Sequence, residues 1–529
     1  MTQSWDTDVA IVGSGFGGSV AALRLAEKGL SAVVLEQGRR IGPDEMAAGA
    51  SDPRRFLWAP ALGMDGYFSQ VFLRHVTLVR GIAVGGGSIV YGAVLLEPRT
   101  GFYADPIWSR LGVDWEAELK PHFRTAKRML GVTPCPSHTK MDDYLQETAR
   151  SMGPQASDTF GPTPLGIYFG TAGETVDDPF FGGKGPSRQG CRLCGGCLGG
   201  CPYGSKNSLD LTYLHMAEAL GTEIRPHHRV ERITPLAEGG YALQAVHPHD
   251  RTRHPPLRAR RVILAAGAVG TLELLFKSRD RDRTLPHISR QLGTVVRTNS
   301  ESIVAISSTQ SDEDLSEGPA ISTHFYPNEN THITNNRFPP AMDILKFQVG
   351  PLVDGGNTLV RSLKTLTAYV LHPLRSTLAA RTRDWHRRVS VLTVMQDLDN
   401  RLQLVAGWSL TGWGLKSRRV RGSPAPSYIP EANDAARAFA AVSNGIPGNG
   451  LPESLLGAST TAHILGGCHM GRTGEDGVID IHHEVFGHPG LFVVDGSAVS
   501  ANVGANPSLT IAAMAERFAA QLPVEPRPL

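Results

Sequence analysis

The chain has 529 residues, long enough for two or three domains around a large core. Its 52 Lys+Arg against 50 Asp+Glu give a formal net charge of +2, which argues against a nucleic-acid partner and against an acidic tail. No apolar run reaches the ~18 residues of a membrane-spanning helix. Only seven residues precede the first apolar strand, and they carry neither a basic nor an apolar leader pattern, so the expected location is cytoplasmic.

In chain order, the first element is an apolar strand from Asp8 to Val12, followed at once by Gly-x-Gly-x-x-Gly at Gly13, Gly15 and Gly18. A helical stretch, Ser19 to Lys28, and a second apolar strand, Ala32 to Leu35, complete a βαβ unit. Gly13 serves the tight turn, Gly15 lets backbone approach a pyrophosphate, and Gly18 allows close helix–sheet packing. Glu36 ends the second strand where an acid accepts from a ribose hydroxyl. The helix N-terminus directs amide N–H groups at the phosphates. The pattern predicts dinucleotide binding.

Next comes Gly81 to Gly92, with three successive glycines at Gly85, Gly86 and Gly87, then Ser88. Such a run opposes helix and strand alike and suits a flat ring resting on bare backbone. Cys191, Cys194, Cys197 and Cys201 follow, within eleven residues and before Pro202. That is the spacing of bacterial iron–sulfur ligation. In a chain read as cytoplasmic it points to an iron–sulfur cluster, a zinc site, or paired or inert thiols, with Cys135 and Cys468 as alternative fourth ligands. Arg261 to Leu275 reads as a strand, small residues, then a helix. Val389–Met395 and Leu402–Val405 alternate as strands of a sheet.

Residues 358–388 carry seven Lys/Arg against one acid, Asp384, with Leu, Val and Tyr interleaved. They read either as a surface for peripheral membrane contact or as solvated helices broken near Pro373. Near the end lie Thr461-Ala-His463-Ile-Leu-Gly-Gly, a strand closing at Asp495-Gly496, and Gly504-Ala-Asn506-Pro507 before a last helix.

Together these motifs resemble the glucose–methanol–choline (GMC) family of FAD oxidoreductases, in its bacterial cholesterol-oxidase-type branch, from Asp8 to Arg517. The resemblance implies an α/β FAD-binding Rossmann-like domain from residues 1–100, 188–300 and 458–529. It implies a second, α+β substrate domain with a mostly antiparallel sheet from 101–187 and 301–457. It implies that Gly13, Gly15, Gly18 and Glu36 hold the ADP half of FAD, with backbone of Val230 near the adenine. Gly85, Gly86 and Ser88 would line the flavin ring, and Asp495, Gly496 and Asn506 would close that end.

By the same resemblance, His463 accepts the hydroxyl proton of an alcohol while Asn506 holds its oxygen, with His469 a rival within the same loop. A histidine titrating near neutrality suits the first role and an amide the second. The expected substrate is a bulky hydrophobic alcohol, first a 3β-hydroxysteroid, with O2 or an external electron carrier as acceptor. Tailoring of a polyketide or terpenoid, and a flavin–cysteine redox sensor, are the other readings. Some dehydrogenases of the broad family carry an iron–sulfur cluster before a pattern like Gly204-Ser205-Lys206. The glutamate with which better-studied sterol oxidases isomerise a double bond has no counterpart before Val389. Asp384 and His386 are the nearest candidates there.

Overall fold

The computed structural model describes residues 5–409 and 412–524. Strand Thr7–Val12 lies in the middle of a seven-stranded sheet, between Ala32–Leu35 and Leu257–Leu264, parallel to both. Glu223–Arg225 extends this sheet beyond Ala32–Leu35. On the far side, Leu257–Ala259 pairs antiparallel with Tyr241–Leu243, whereas Val262–Leu264 pairs parallel with Leu491–Val493. Val9, Ala10 and Ile11 are fully buried, as strands covered on both faces require. Helix Phe16–Glu27 packs against the last helix, Ser508–Gln521, and the two are tied by Arg24–Glu516 at 2.7 Å.

A second seven-stranded sheet is antiparallel throughout. Its order is Val349–Pro351, Gly445–Gly450, Ser302–Ser308, Val389–Gln396, Thr331–Asn336, Thr323–Asn328, Gly161–Pro162. Alternation decides its faces. Val304, Ile306, Ile333, Leu392 and Val394 bury against helices Lys140–Ser151 and Pro430–Ser443. Ile303, Ala305, Asn336, Val391 and Thr393 point the other way, into a cavity shared with the first sheet.

The alternating segment at Leu402 is not part of that sheet. Hairpin Leu402–Ser409/Gly412–Arg419 joins Val296–Arg297, which pairs with Leu465–Gly466. It therefore braces the turn after His463. Residues 358–388 form helix Thr358–Leu371 and three short turns after His372. Leu359, Leu363, Leu366 and Val370 recur at helical spacing and all face solvent, while Arg361 and Thr365 are buried. Among the described residues, no helix is long and apolar enough to cross a membrane.

Candidate active site

The glycines of the first loop are required by contacts. A Cβ on Gly17 would stand 1.5 Å from the carbonyl oxygen of Val494, and one on Gly18 would stand 2.0 Å from that of Gly13. Gly13 has φ +99° and lies against Ala265. At Gly15 a Cβ would meet nothing nearer than 4.0 Å, so this backbone borders open space. Gly13, Gly15 and Gly17 line the cavity, and Gly18 sits inside the turn.

Glu36 lies on the same wall. Its Oε2 accepts from Ser14 N (3.0 Å) and Ser14 Oγ (2.7 Å), and its Oε1 accepts from Gly38 N (2.8 Å). Burial pushes this carboxyl up from the usual range, against those hydrogen bonds. Ser14 Oγ also accepts from Gly85 N at 3.0 Å, so one serine joins both glycine loops. Gly86 and Gly87 face the cavity. Gly85, with φ +97°, and Ser88 stand behind them, where Ser88 Oγ donates to Gly85 O (2.7 Å) and accepts from Leu209 N (2.9 Å). Val230 is on the wall with His228 and Arg229.

Asp495 and Gly496 line the wall near the start of the last helix. The buried Asp495 carboxylate accepts from Ser497 and from Thr271 Oγ1 (2.5 Å), and burial raises its pKa. The cavity as a whole has a volume of about 1050 Å³. It runs from these loops to a chamber walled by Ile303, Phe338, Met342, Trp385, Val391 and Trp413.

His463 and Asn506 meet where the chamber joins the glycine loops. Asn506 Nδ2 donates to His463 Nε2 at 3.2 Å, and Asn506 Oδ1 is buried with no partner. Pro507 and the helix from Ser508 fix Asn506 from one side. His463 N donates to Thr461 Oγ1 at 2.8 Å. His469 lies elsewhere: it is buried, bonds to Asp476 O at 3.1 Å, and is held neutral with a pKa lowered to about 4 by burial. Asp384 is exposed and His386 pairs with Asp343 at 3.1 Å, so neither reaches the cavity.

Two carboxyls, Glu301 and Glu453, do line it at the chamber end, and sequence reasoning missed both. Glu301 places Oε2 3.1 Å from His463 Nδ1. Glu453 accepts from Ser302 Oγ at 2.9 Å, and burial together with the neighbouring Glu301 raises its pKa to about 8. Neither belongs to a motif. Glu301 is brought in by tertiary packing from a segment remote from His463, and Glu453 from the short helix ten residues before it.

The cysteine run does not fold into a ligand set. Among the described residues, no three His, Cys, Asp or Glu side chains are placed to hold a metal ion. Burial raises the Cys191 thiol to about 11 and the Cys197 thiol to about 12. The segment is tied down through its backbone. Gly195 N donates to Gly318 O at 2.7 Å, and buried Lys206 donates to the carbonyls of Cys197 and Ile89, both at 2.7 Å. That ammonium ties the cysteine segment to the back of the second glycine loop.

Comparison with known proteins decides the family. Models described as GMC oxidoreductase match residues 186–293 and 371–515, and one described as an NAD(P)-binding Rossmann-like domain matches 11–48. A cholesterol oxidase of Mycobacterium tuberculosis is 42% identical over 98% of this chain and 91% of the relative. The chain belongs to the GMC oxidoreductase family. It lies in the cholesterol-oxidase-type branch of the GMC proteins, where a cholesterol oxidase of Acinetobacter baumannii is also 37% identical over 99% of this chain and 95% of the relative. A pyridoxine 4-oxidase from Mesorbium loti shares the fold, with TM-score 0.62 and 16% identity over 98% of this chain and 99% of that one. This GMC protein is an FAD-dependent alcohol oxidoreductase. The cradle fits the cofactor, because its bare glycine backbone borders the cavity where a side chain would block it.

Proposed function

We propose that this enzyme oxidises the 3β-hydroxyl of a sterol, with His463 taking the hydroxyl proton and Asn506 holding the oxygen. The observation that carries the reading is the His463–Asn506 pair, 3.2 Å apart, at the junction of a glycine cradle and a long apolar chamber. Bound FAD supplies the hydride acceptor. A substrate hydroxyl entering between the pair takes a hydrogen bond from Asn506 Nδ2 and gives its proton to His463 Nε2. The apolar walls bury the ring system and exclude water. Gly13, Gly15, Gly18, Glu36, Gly85, Gly86, Ser88, Val230, Asp495 and Gly496 hold or shape the cofactor site in this reading. O2 is the acceptor, as the names of the oxidases among its relatives suggest.

The substrate reaches the chamber from a membrane surface. Leu359, Leu363, Leu366 and Val370 form an outward apolar stripe, and exposed Lys364, Arg375, Arg381 and Arg383 flank it. The helix packs on Leu451–Leu456, whose Pro452 and Glu453 line the cavity. An apolar stripe edged by cations suits an anionic bilayer.

The test is anaerobic bleaching of the bound flavin by cholesterol, a 3β-hydroxysteroid without a side chain, a long-chain primary alcohol and glucose. The reading expects the sterols to bleach it fastest. Faster bleaching by glucose or the primary alcohol, or none by any of the four, would overturn it.

A further inference from the structure

Glu301 is buried at 2% exposure and its carboxylate is built into the turn that carries His463. Oε2 accepts from Ala462 N at 2.9 Å and from Thr461 Oγ1 at 2.7 Å, and it stands 3.1 Å from His463 Nδ1. The last contact is short but bent, outside straight hydrogen-bond geometry. Such contacts tighten when substrate arrives. We propose that Glu301 is the positioning residue of His463, keeping the ring proton on Nδ1 so that Nε2 is presented to the substrate hydroxyl beside Asn506. The proposal rests on the reading of His463 as proton acceptor.

The backbone supports it. Asn299 and Ser300 have φ +57° and +44°, two successive non-glycine residues in the left-handed region, an arrangement that costs energy and persists only when its surroundings impose it. The strained turn sends its two ends to the two halves of the site. Asn299 Nδ2 donates to Ala505 O (2.7 Å) and Asn299 Oδ1 accepts from Gly504 N (2.9 Å), which holds the loop of Asn506. Two residues on, Glu301 holds the loop of His463. Glu453, whose pKa burial and the neighbouring Glu301 raise to about 8, is the second carboxyl on this side of the cavity.

The chemistry follows from the two ring nitrogens. A neutral imidazole with its proton on Nε2 cannot accept another there, and a carboxylate at Nδ1 selects the competent tautomer. The same charge stabilises the imidazolium formed as the proton moves, the division of labour seen in carboxylate–histidine pairs generally. A purely structural Glu301 would brace Thr461 and Ala462 and leave the tautomer alone.

The test compares Glu301→Gln, which keeps the size and an acceptor but loses the charge, with Glu301→Asp. The FAD-loaded proteins are labelled with 15N-histidine, and the His463 signals are identified by their loss in His463→Gln. Wild type should show Nδ1–H, and Glu301→Gln a mixture of tautomers. Single-turnover flavin reduction by cholesterol should fall about 100-fold in Glu301→Gln, with the half-saturating concentration moving less than about threefold. Glu301→Asp should regain at least about tenfold of that loss. An unchanged tautomer, or reduction within about twofold of wild type, in Glu301→Gln would overturn the proposal. If Glu301→Gln fails to retain FAD, Glu301→Asp decides: Nδ1–H with slowed reduction supports the pairing, and mixed tautomers at the wild-type rate contradict it. A wild-type flavin that no alcohol reduces would refute the sterol reaction, whereas the tautomer signals would still decide the pairing.

Discussion

The two ends of the cavity are built on opposite plans. At the cofactor end the decisive atoms are backbone, and bare backbone meets backbone: Gly18 against Gly13, Gly17 against Val494, and Gly86 against Gly15 across two loops that Ser14 joins. At the substrate end the decisive atoms are side chains, and Glu301, Asn336, Thr393, Glu453, His463 and Asn506 arrive from separate segments: two strands of one sheet, one short helix and three turns. Close backbone approach leaves a compact glycine signature in sequence. Convergence of side chains leaves almost none.

Substitutions sharpen that contrast. The largest effect is expected at the cofactor end. Gly17→Ala forces a methyl to 1.5 Å from Val494 O, a clash with backbone that has no rotamer to yield. It should yield protein without bound flavin, read as absorbance per chain after purification; full flavin content would break the account of the cradle. At the substrate end, Asn299→Ala leaves the fold but removes both bonds to the Gly504–Ala505 loop. Losing buried hydrogen bonds worth ~1–3 kcal/mol should slow flavin reduction about 10–100-fold while FAD stays bound. A rate within twofold of wild type would show that Asn506 needs no such support.

Smaller effects come from the rim and the buried acid. The double variant Leu363→Asp, Leu366→Asp should weaken co-sedimentation with anionic liposomes by at least about tenfold, since each leucine buried contributes ~1.5–3 kcal/mol. Equal binding by both proteins would remove the membrane from the account. Glu453 tests the electrostatics through stability. Its folded pKa of about 8 lies above the unfolded value of ~4.3, so its contribution is complete below that lower value. It is lost as pH rises to about 8, at ~1.4 kcal/mol per pH unit, because only the unfolded state ionises in this window. Glu453→Gln should therefore flatten the fall in Tm between pH 5 and pH 8, and an unchanged slope would mean that the carboxyl is already ionised when folded.

How far the molecule was legible follows the same division. The βαβ unit, its glycines and Glu36 read directly, because strand, turn and helix follow one another without interruption. His463 and Asn506 read through the motifs around them. Their partner Glu301 did not, since Thr298-Asn299-Ser300-Glu301 carries no spacing signal and its turn is imposed by packing. The cysteine run shows the converse. Its spacing suits metal ligation, yet among the described residues no three ligating side chains are placed to hold an ion, and the segment is shaped by glycine turns such as Gly195 (φ +68°) and Gly200 (φ +89°) and by the Lys206 anchor. The strand at Leu402 showed correct alternation but could not announce its partner, Val296.

The central claim is that the cradle and the His463–Asn506 pair form one reaction centre. Its most direct test is anaerobic stopped-flow reduction of the bound flavin by cholesterol in wild type and in His463→Ala. The account predicts rapid bleaching in the wild type and a loss of at least about 100-fold in the variant, with FAD content unchanged. Equal rates in the two proteins would contradict it.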